Sequence, residues 1–309
     1  MRTSKPAPAA ARVERADETV RRAETALLAS VDRLGHLEKL DPLITGMRRR
    51  VRALPLGRYR DVLHGRPLGH PLHPVLVQVP TGSWLSAAVL DVVPGGGRHA
   101  RLLVGLGVVS ALPAALAGWV DWAEQHEEQG RVGLVHALAN GAAIGLYTAS
   151  WVARGRRRPV LGRALGLAGL GAVSLGGALG GHLAYRQAAG ANKAEPVSHV
   201  MEPGWQTLGR MEEFPVGEAV RRLVGEVALL VVREAGGHIN VLADRCSHDS
   251  GPLSQGTLAD GCVTCPWHGS VFRLSDGWNV RGPATSPQPS FETRTAGDGT
   301  VEVRAPQAH

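Results

Sequence analysis

At 309 residues the chain is long enough for two or three domains, and an ordinary apolar fraction of 44% with a mean hydropathy near zero conceals a middle region almost free of charge between Arg-rich ends. Forty glycines and only three phenylalanines argue against an aromatic-filled core in that region and for helices in close contact. The formal net charge of +7 does not point to nucleic acid: many arginines flank apolar runs where lipid headgroups are the nearer anion, and nothing in the sequence resembles a DNA-reading helix or a phosphate loop.

Residues 1–12 carry Arg and Lys but no apolar stretch behind them, which is not the pattern of a secretory signal. From Val13 to Leu40 apolar residues recur at a loose helical period (Val20, Ala23, Leu27, Val31, Leu34), predicting an exposed or surface-lying helix. The basic run Met47-Arg48-Arg49-Arg50-Val51-Arg52 reads as a patch for anionic membrane lipid, with a solvated charge run as the alternative. Residues 1–59 are thus expected to form a cytoplasmic, partly helical N-terminal segment.

Lys, Arg, Asp and Glu are absent between Arg66 and Asp91, Arg101 and Asp121, Arg131 and Arg154, and Arg163 and Arg186, gaps of nineteen to twenty-four residues. A bilayer core needs about twenty apolar residues per helix. Residues 60–186 are therefore predicted to form a four-helix transmembrane bundle, with spans near 74–93, 102–120, 132–153 and 164–185. Small residues four apart (Gly141/Gly145, Gly162/Gly166, Gly176/Gly180, Gly177/Gly181) would let helix backbones approach. The approach to the first span, His64-Gly65-Arg66-Pro67-Leu68-Gly69-His70-Pro71-Leu72-His73-Pro74, resembles the signature of a family of small bacterial membrane proteins over roughly 60–185. That resemblance implies a fold and names no activity.

Basic residues near the spans divide almost evenly between the two sides, so the polar, Arg-rich N-terminal segment decides the orientation. The expectation is a multi-pass protein of the cell membrane with both termini in the cytoplasm. Alternating topology then places His70, His73, Asp121, His136 and His182 on one side. They read either as helix caps and headgroup contacts or as a shared site for haem, a metal ion or a quinone, with His136 and His182 as the axial pair for a haem.

Residues 187–203 turn to Ala, Asn, Lys, Glu and Pro, a linker composition. Residues 204–306 then read as short strands at 219–224, 227–232, 238–242, 261–264, 271–274 and 300–303, an antiparallel all-β domain with two loops at one tip. Cys246-Ser247-His248 and Cys265-Pro266-Trp267-His268 each offer one thiolate and one imidazole. Two thiolates on one iron and two imidazoles on another fit a [2Fe-2S] cluster, while a structural zinc ion is the rival, although zinc fingers usually pair Cys with Cys and His with His. Gly251, Pro266 and Gly269 would turn backbone N–H groups toward the sulfides. Cys262 remains as a lone thiol in a strand.

With Gly204-Trp205, Leu-Leu-Val-Val at 229–232, Phe272 and Gly282-Pro283-Ala284, these loops closely resemble the Rieske iron–sulfur family from about Met201 to Arg304. The resemblance implies Cys246 and Cys265 on the inner iron, His248 and His268 on the outer one, and one-electron transfer. Gly251 and Trp267 stand where high-potential members carry a disulfide, which implies the ferredoxin type. The expected function is a membrane-anchored electron carrier between unidentified donor and acceptor proteins. The alternatives are a component of an oxygenase system, for which Asp121, His126 and His136 are loose candidates to hold a further iron, or a redox sensor signalling through the N-terminal segment.

Overall fold

A computed structural model describes residues 18, 22, 26 and 29–305; the expectations for residues 1–12 and for Val20, Ala23 and Leu27 lie outside them. A helical region comes first: α1 (Asp41–Arg52), α2 (Gln78–Leu90), α3 (Gly97–Trp122), α4 (Glu127–Gly155) and α5 (Pro159–Gly181), which runs on through a π-turn at His182–Arg186. Among the described residues three helices, 97–122, 127–155 and 159–186, are long and apolar enough to cross a membrane.

The first predicted span does not form one long helix. It is divided into His73–Leu76 and the 13-residue α2. Pro80 has no N–H to offer the Leu76 carbonyl, so the hydrogen-bond ladder is interrupted between the two pieces while Val77 keeps a helical backbone. The expectation of four long spans is thereby corrected to three long helices and one interrupted segment.

The seam between α4 and α5 is made by glycines. Gly162, Gly169 and Gly176 recur every seven residues and face Arg154, Tyr147 and Asn140, also seven apart, where an added Cβ would come within 2.5, 2.9 and 2.6 Å. A seven-residue repeat keeps two helices in register along their length. Of the predicted small-residue pairs, Gly162/Gly166 and Gly176/Gly180 face neighbouring side chains, whereas Gly141, Gly145, Gly177 and Gly181 have nothing within 4 Å. The outward faces keep Leu102, Val109, Leu112, Leu138 and Leu167 exposed. An apolar surface of that extent needs an apolar medium or partner.

The N-terminal segment packs onto this region. Val31 and Leu34 lie against Val132, Leu179 and Leu183, and Ile44 of α1 is buried with Trp122 and Leu134. Arg131 binds both Asp41 carboxylate oxygens at 2.7 Å and donates to the Gly35 carbonyl. The basic run 47–52 is only partly an outward patch. Arg48 donates to the Gln125 and His126 carbonyls and Arg52 to that of Ala123, leaving Arg49 and Arg50 exposed. The His126 carbonyl already receives the Gly130 N–H, so the guanidinium groups tie down the short connection after α3.

The segment 187–203 is docked rather than a free linker. Gln129 donates to the Gln187 carbonyl, Lys193 N–H donates to the Ser247 carbonyl, Ala194 is buried and Met201 joins the β-domain core.

The β-domain holds β1 (Gln206–Arg210), β2 (Ala219–Val224), β3 (Val227–Arg233), β4 (Ile239–Ala243), β5 (Thr257–Ala259), β6 (Cys262–Thr264), β7 (Val271–Arg273), β8 (Asn279–Arg281), β9 (Glu292–Thr295) and β10 (Thr300–Arg304). They form three antiparallel sheets, ordered β1-β10-β9, β2-β3-β4 and β5-β6-β7-β8. Strand β3 serves two cores: Leu229 and Val231 face one with Phe214 and Val301, Leu230 and Val232 the other with Leu253 and Phe272. That alternation is the period-two pattern of a strand buried on both faces.

At the helix ends remote from the β-domain, Arg154 binds both oxygens of Asp91 at 2.6 Å with its own side chain only 6% exposed. Arg154→Ala leaves Asp91, a side chain 13% exposed, with only the looser contact to Arg163 at 3.7 Å, and is expected to destabilise the helical region by about 2 kcal/mol. Thermal unfolding of the detergent-solubilised protein reads this, and Asp91→Ala on top of Arg154→Ala should recover part of the loss.

Candidate metal centre

The two loops that carry the predicted ligands close in the same way. Cys246 N–H donates to the Gly251 carbonyl at 2.9 Å, and Cys265 N–H to the Ser270 carbonyl at 2.8 Å. Each Cys carbonyl then receives an N–H four residues on, from Ser250 at 2.9 Å and Gly269 at 3.1 Å. Ser250 and Gly269 both take positive φ, 68° and 72°, which the turn requires. Each loop therefore folds its Cys and His onto one side.

Buried polar side chains hold the loops in place. Gln288 accepts from Ser247 N–H at 2.9 Å and donates to the Ala243 and Arg245 carbonyls. Asp244 accepts from Ser254 N–H and Oγ–H and from Arg221. Leu253, Phe272, Leu274 and Ala284 pack with Cys246 and Cys265 in one apolar core.

The four donors converge as two poles. Cys246 and Cys265 are both buried and free, and the Cys246 thiol hydrogen-bonds Cys265. That bond, aided by the backbone N–H groups of Trp267 and His268, draws the Cys265 thiol down to about 6, while the same bond and burial push Cys246 up. The His248 and His268 rings lie 5.0 Å apart at 86°. Burial, with His268 alongside, pulls His248 down to about 3, so its imidazole is neutral and has a lone pair to give. Its buried Nδ1 has no hydrogen-bond partner. A buried, unpartnered nitrogen beside a second imidazole and two thiols is costly in a bare protein and is what a metal-bound ligand set supplies. The residues present fit a two-iron cluster, with thiols at one pole and imidazoles at the other.

This tip faces the helical region. His126, just before α4, lies 5.6 Å ring to ring from Trp267 and 6.3 Å from His268, and its Nε2 is 2.8 Å from Asp249 Oδ2. Gly282 N–H donates to Asp61. A cavity of about 630 Å³ borders both parts, its walls including Ser247 and His248 from the first loop and His64, His73, Asp121 and His136 from the helical region.

Of the membrane-region residues singled out in the sequence, His73, Asp121 and His136 are thus brought together. His70 is exposed, with its ring on the neighbouring Pro71 carbonyl, and His182 lies 3.7 Å from Asp32; neither lines the cavity. The looser set Asp121, His126 and His136 does not converge: Asp121 pairs with His64 at 2.8 Å, His126 with Asp249, and His136 with the Gly176 carbonyl. Sequence reasoning gave no site role to His64 or Gln288 and did not find the His126–Asp249 pairing. The partners of each lie far along the chain, and no local spacing signals them. Cys262 is free and half-buried on β6.

Gly251 faces the site directly. An added Cβ would lie 2.8 Å from Cys265 Sγ and 3.0 Å from Trp267 Cγ, so the two positions named in place of a disulfide are neighbours. Gly251→Ala is expected to lower iron and sulfide content several-fold, read by absorption and metal analysis, whereas Gly236→Ala, with nothing within 4 Å, should leave both unchanged.

Residues 204–292 match the Rieske [2Fe-2S] domain family and residues 69–193 the family described as Predicted membrane protein (DUF2231). The anthranilate 1,2-dioxygenase ferredoxin subunit of Burkholderia cepacia is 35% identical over 99 residues, covering 32% of this chain and 90% of that protein. The 3-phenylpropionate/cinnamic acid dioxygenase ferredoxin subunit of Escherichia coli (strain K12) is 32% identical over 97 residues, 31% of this chain and 89% of that one. A solved complex of reduced oxygenase and oxidized ferredoxin in carbazole 1,9a-dioxygenase matches at 28% identity and a TM-score of 0.31, covering 34% of this chain and 96% of that chain. The chain belongs to the Rieske [2Fe-2S] family, an electron-transfer domain joined here, in one polypeptide, to a DUF2231 domain of apolar helices.

Proposed function

We propose that the protein is a membrane-anchored one-electron carrier, with Cys246 and Cys265 holding one iron of the cluster and His248 and His268 the other, passing electrons between a soluble redox protein and an acceptor in or at the membrane. The observation that carries this reading is the direction of the imidazole pole: it faces the helical region, with His248 on the cavity wall and His268 beside His126. A bound cluster supplies reversible uptake of one electron. The chain supplies neutral imidazoles, backbone N–H groups aimed at both sulfurs, and an apolar floor of Leu253 and Phe272 that keeps water out.

Three long apolar helices with exposed leucines support the anchor, and His73–Leu76 with α2 would complete a fourth crossing. The Arg-rich N-terminal segment favours both termini, and with them the cluster, on the cytoplasmic side, with Arg49 and Arg50 free to meet anionic headgroups. The names of the relatives, ferredoxin subunits of dioxygenases, support a soluble partner of reductase or oxygenase type.

Phe272 brings no hydroxyl to the cluster, so a midpoint in the lower part of the Rieske range of about −150 to +300 mV is expected. A redox titration placing it near the top would contradict this.

Fractionation and metal analysis test the proposal. The chain should stay with membranes after an alkaline wash and contain two non-haem irons and two acid-labile sulfides. His248→Ala or Cys265→Ala should abolish the cluster spectrum and destabilise the β-domain by metal-linked folding, with the helices still inserted. A full Rieske spectrum in either variant overturns the ligand set, and a third non-haem iron per chain overturns the carrier in favour of an oxygenase.

A further inference from the structure

We infer that the helical region binds a b-type haem between His73 and His136. The two rings stand 6.1 Å apart, centroid to centroid, at 79°. A metal–imidazole bond is about 2 Å, so two imidazoles on opposite sides of one iron place their centroids roughly 6 Å apart. His73 comes from the short helix before α2 and His136 from α4, so the pair bridges two separate elements across the cavity.

Both imidazoles are already oriented for ligation. Each Nδ1 lies 2.8 Å from a backbone carbonyl, that of Ala114 for His73 and that of Gly176 for His136. A carbonyl can only accept, so each Nδ1 carries the proton and each Nε2 presents a lone pair. Ligating histidines are held in this way, by a hydrogen bond from the nitrogen that does not touch the metal. Gly118 on α3 and Gly180 on α5 leave room for the rings, since a Cβ there would come within 2.9 Å of His73 and 3.1 Å of His136. Asn140 donates to the His136 carbonyl at 2.9 Å, and its amide nitrogen rests over the ring, 3.4 Å from Nδ1 and 3.3 Å from Nε2.

The surroundings select the kind of metal group. Around the pair the cavity is walled by Trp84, Ala111, Ile144 and Val173, and 630 Å³ is within the range of cofactor pockets, about 300–1,000 Å³. A bare ion held by two imidazoles would need further protein donors, and the nearest candidates on the same wall, His64 and Asp121, are bonded to each other at 2.8 Å. A porphyrin brings four nitrogens of its own and an apolar ring to fill the space. The axial pair is then His73 with His136 rather than His136 with His182, because His182 is turned to Asp32. His248 lines the same cavity, so a haem here and a cluster at His248 would be two one-electron centres bordering one space. That consequence rests on the carrier reading; the haem site itself does not.

The test is an optical one on the purified full chain, produced with a haem precursor and then titrated with haemin. Wild type should hold about one haem per chain with a six-coordinate low-spin spectrum. His73→Ala and His136→Ala should each lose bound haem at least tenfold or turn high-spin, with added imidazole restoring the low-spin bands, while His70→Ala and His182→Ala keep the wild-type spectrum. His73→Met, which keeps a ligand, should retain haem with a shifted spectrum. The Rieske paramagnetic signal, read in every sample, reports whether the chain is folded. A chain with its full cluster signal that takes up no haem, or that binds only a short-chain quinone in this cavity, overturns the inference and leaves the carrier reading standing. Low-spin haem that survives unchanged in both alanine variants overturns it equally.

Discussion

The docking of the cluster tip onto the end of the helical region is the constraint on which the rest depends. Its polar contacts are few: His126 with Asp249, Gly282 N–H with Asp61, and Lys193 N–H with the Ser247 carbonyl. None is strong alone. His126 is half-exposed, and a pair of that kind contributes about 1 kcal/mol or less. Together they fix position: they come from three separate stretches of the helical region and its connection, and they land on the first cluster loop and the turn at 282. Trp267 packs against His126 as well. An imidazole pole held in this way gives up solvent on one side and gains a neighbouring cavity.

The apolar outer faces of the helices impose the second constraint. Helices with leucine on the outside gain little by packing leucine inside, so close association must come from small residues and from polar groups that find partners. The α4–α5 seam does both. Glycines at 162, 169 and 176 admit Arg154, Tyr147 and Asn140, and Arg154 and Asn140 are then bonded to Asp91 and to the His136 carbonyl. The buried pair His64–Asp121 continues the pattern at the end of α3 nearest the β-domain. Polar residues at such depth are expensive unless paired, and the His64–Asp121 and Asn140–His136 pairings also line the cavity.

How much of this was legible in the sequence varied with the range of the interactions. The two loops could be marked in the sequence because Cys246 with His248 and Cys265 with His268 are local pairs, and Gly269 sits at the positive-φ position that closes the second loop; in the first loop that position is Ser250, which composition does not flag. The long apolar helices were legible from charge gaps alone, with ends extending a turn or so beyond the gaps. The interruption at Val77 was not read, although Pro80 was in plain view, since composition counts residues and ignores the hydrogen bond a proline removes. Strands β1, β5, β8 and β9 went unpredicted: they are short, and Gln206–Arg210 and Glu292–Thr295 lack an alternating apolar pattern because the β10 strand between them carries the burial. The pairing of His126 with Asp249 and the role of Gln288 are long-range facts that no spacing rule encodes. The linker composition misled for a related reason: small residues suit a tether, and they equally suit a segment laid flat into a crevice, as Ala194 is.

The most direct test of the account is the orientation of the cluster relative to the bilayer. Membranes containing the full chain can be dried into oriented multilayers, the cluster reduced, and its paramagnetic resonance spectrum recorded as the layers are turned in the field. A tip docked by His126, Asp61 and the 187–203 segment predicts signal amplitudes that change strongly with angle, because every cluster keeps one attitude to the membrane plane. Amplitudes independent of angle, in layers whose order is verified by a separate membrane marker, would mean a β-domain swinging on a tether and would contradict the docked carrier.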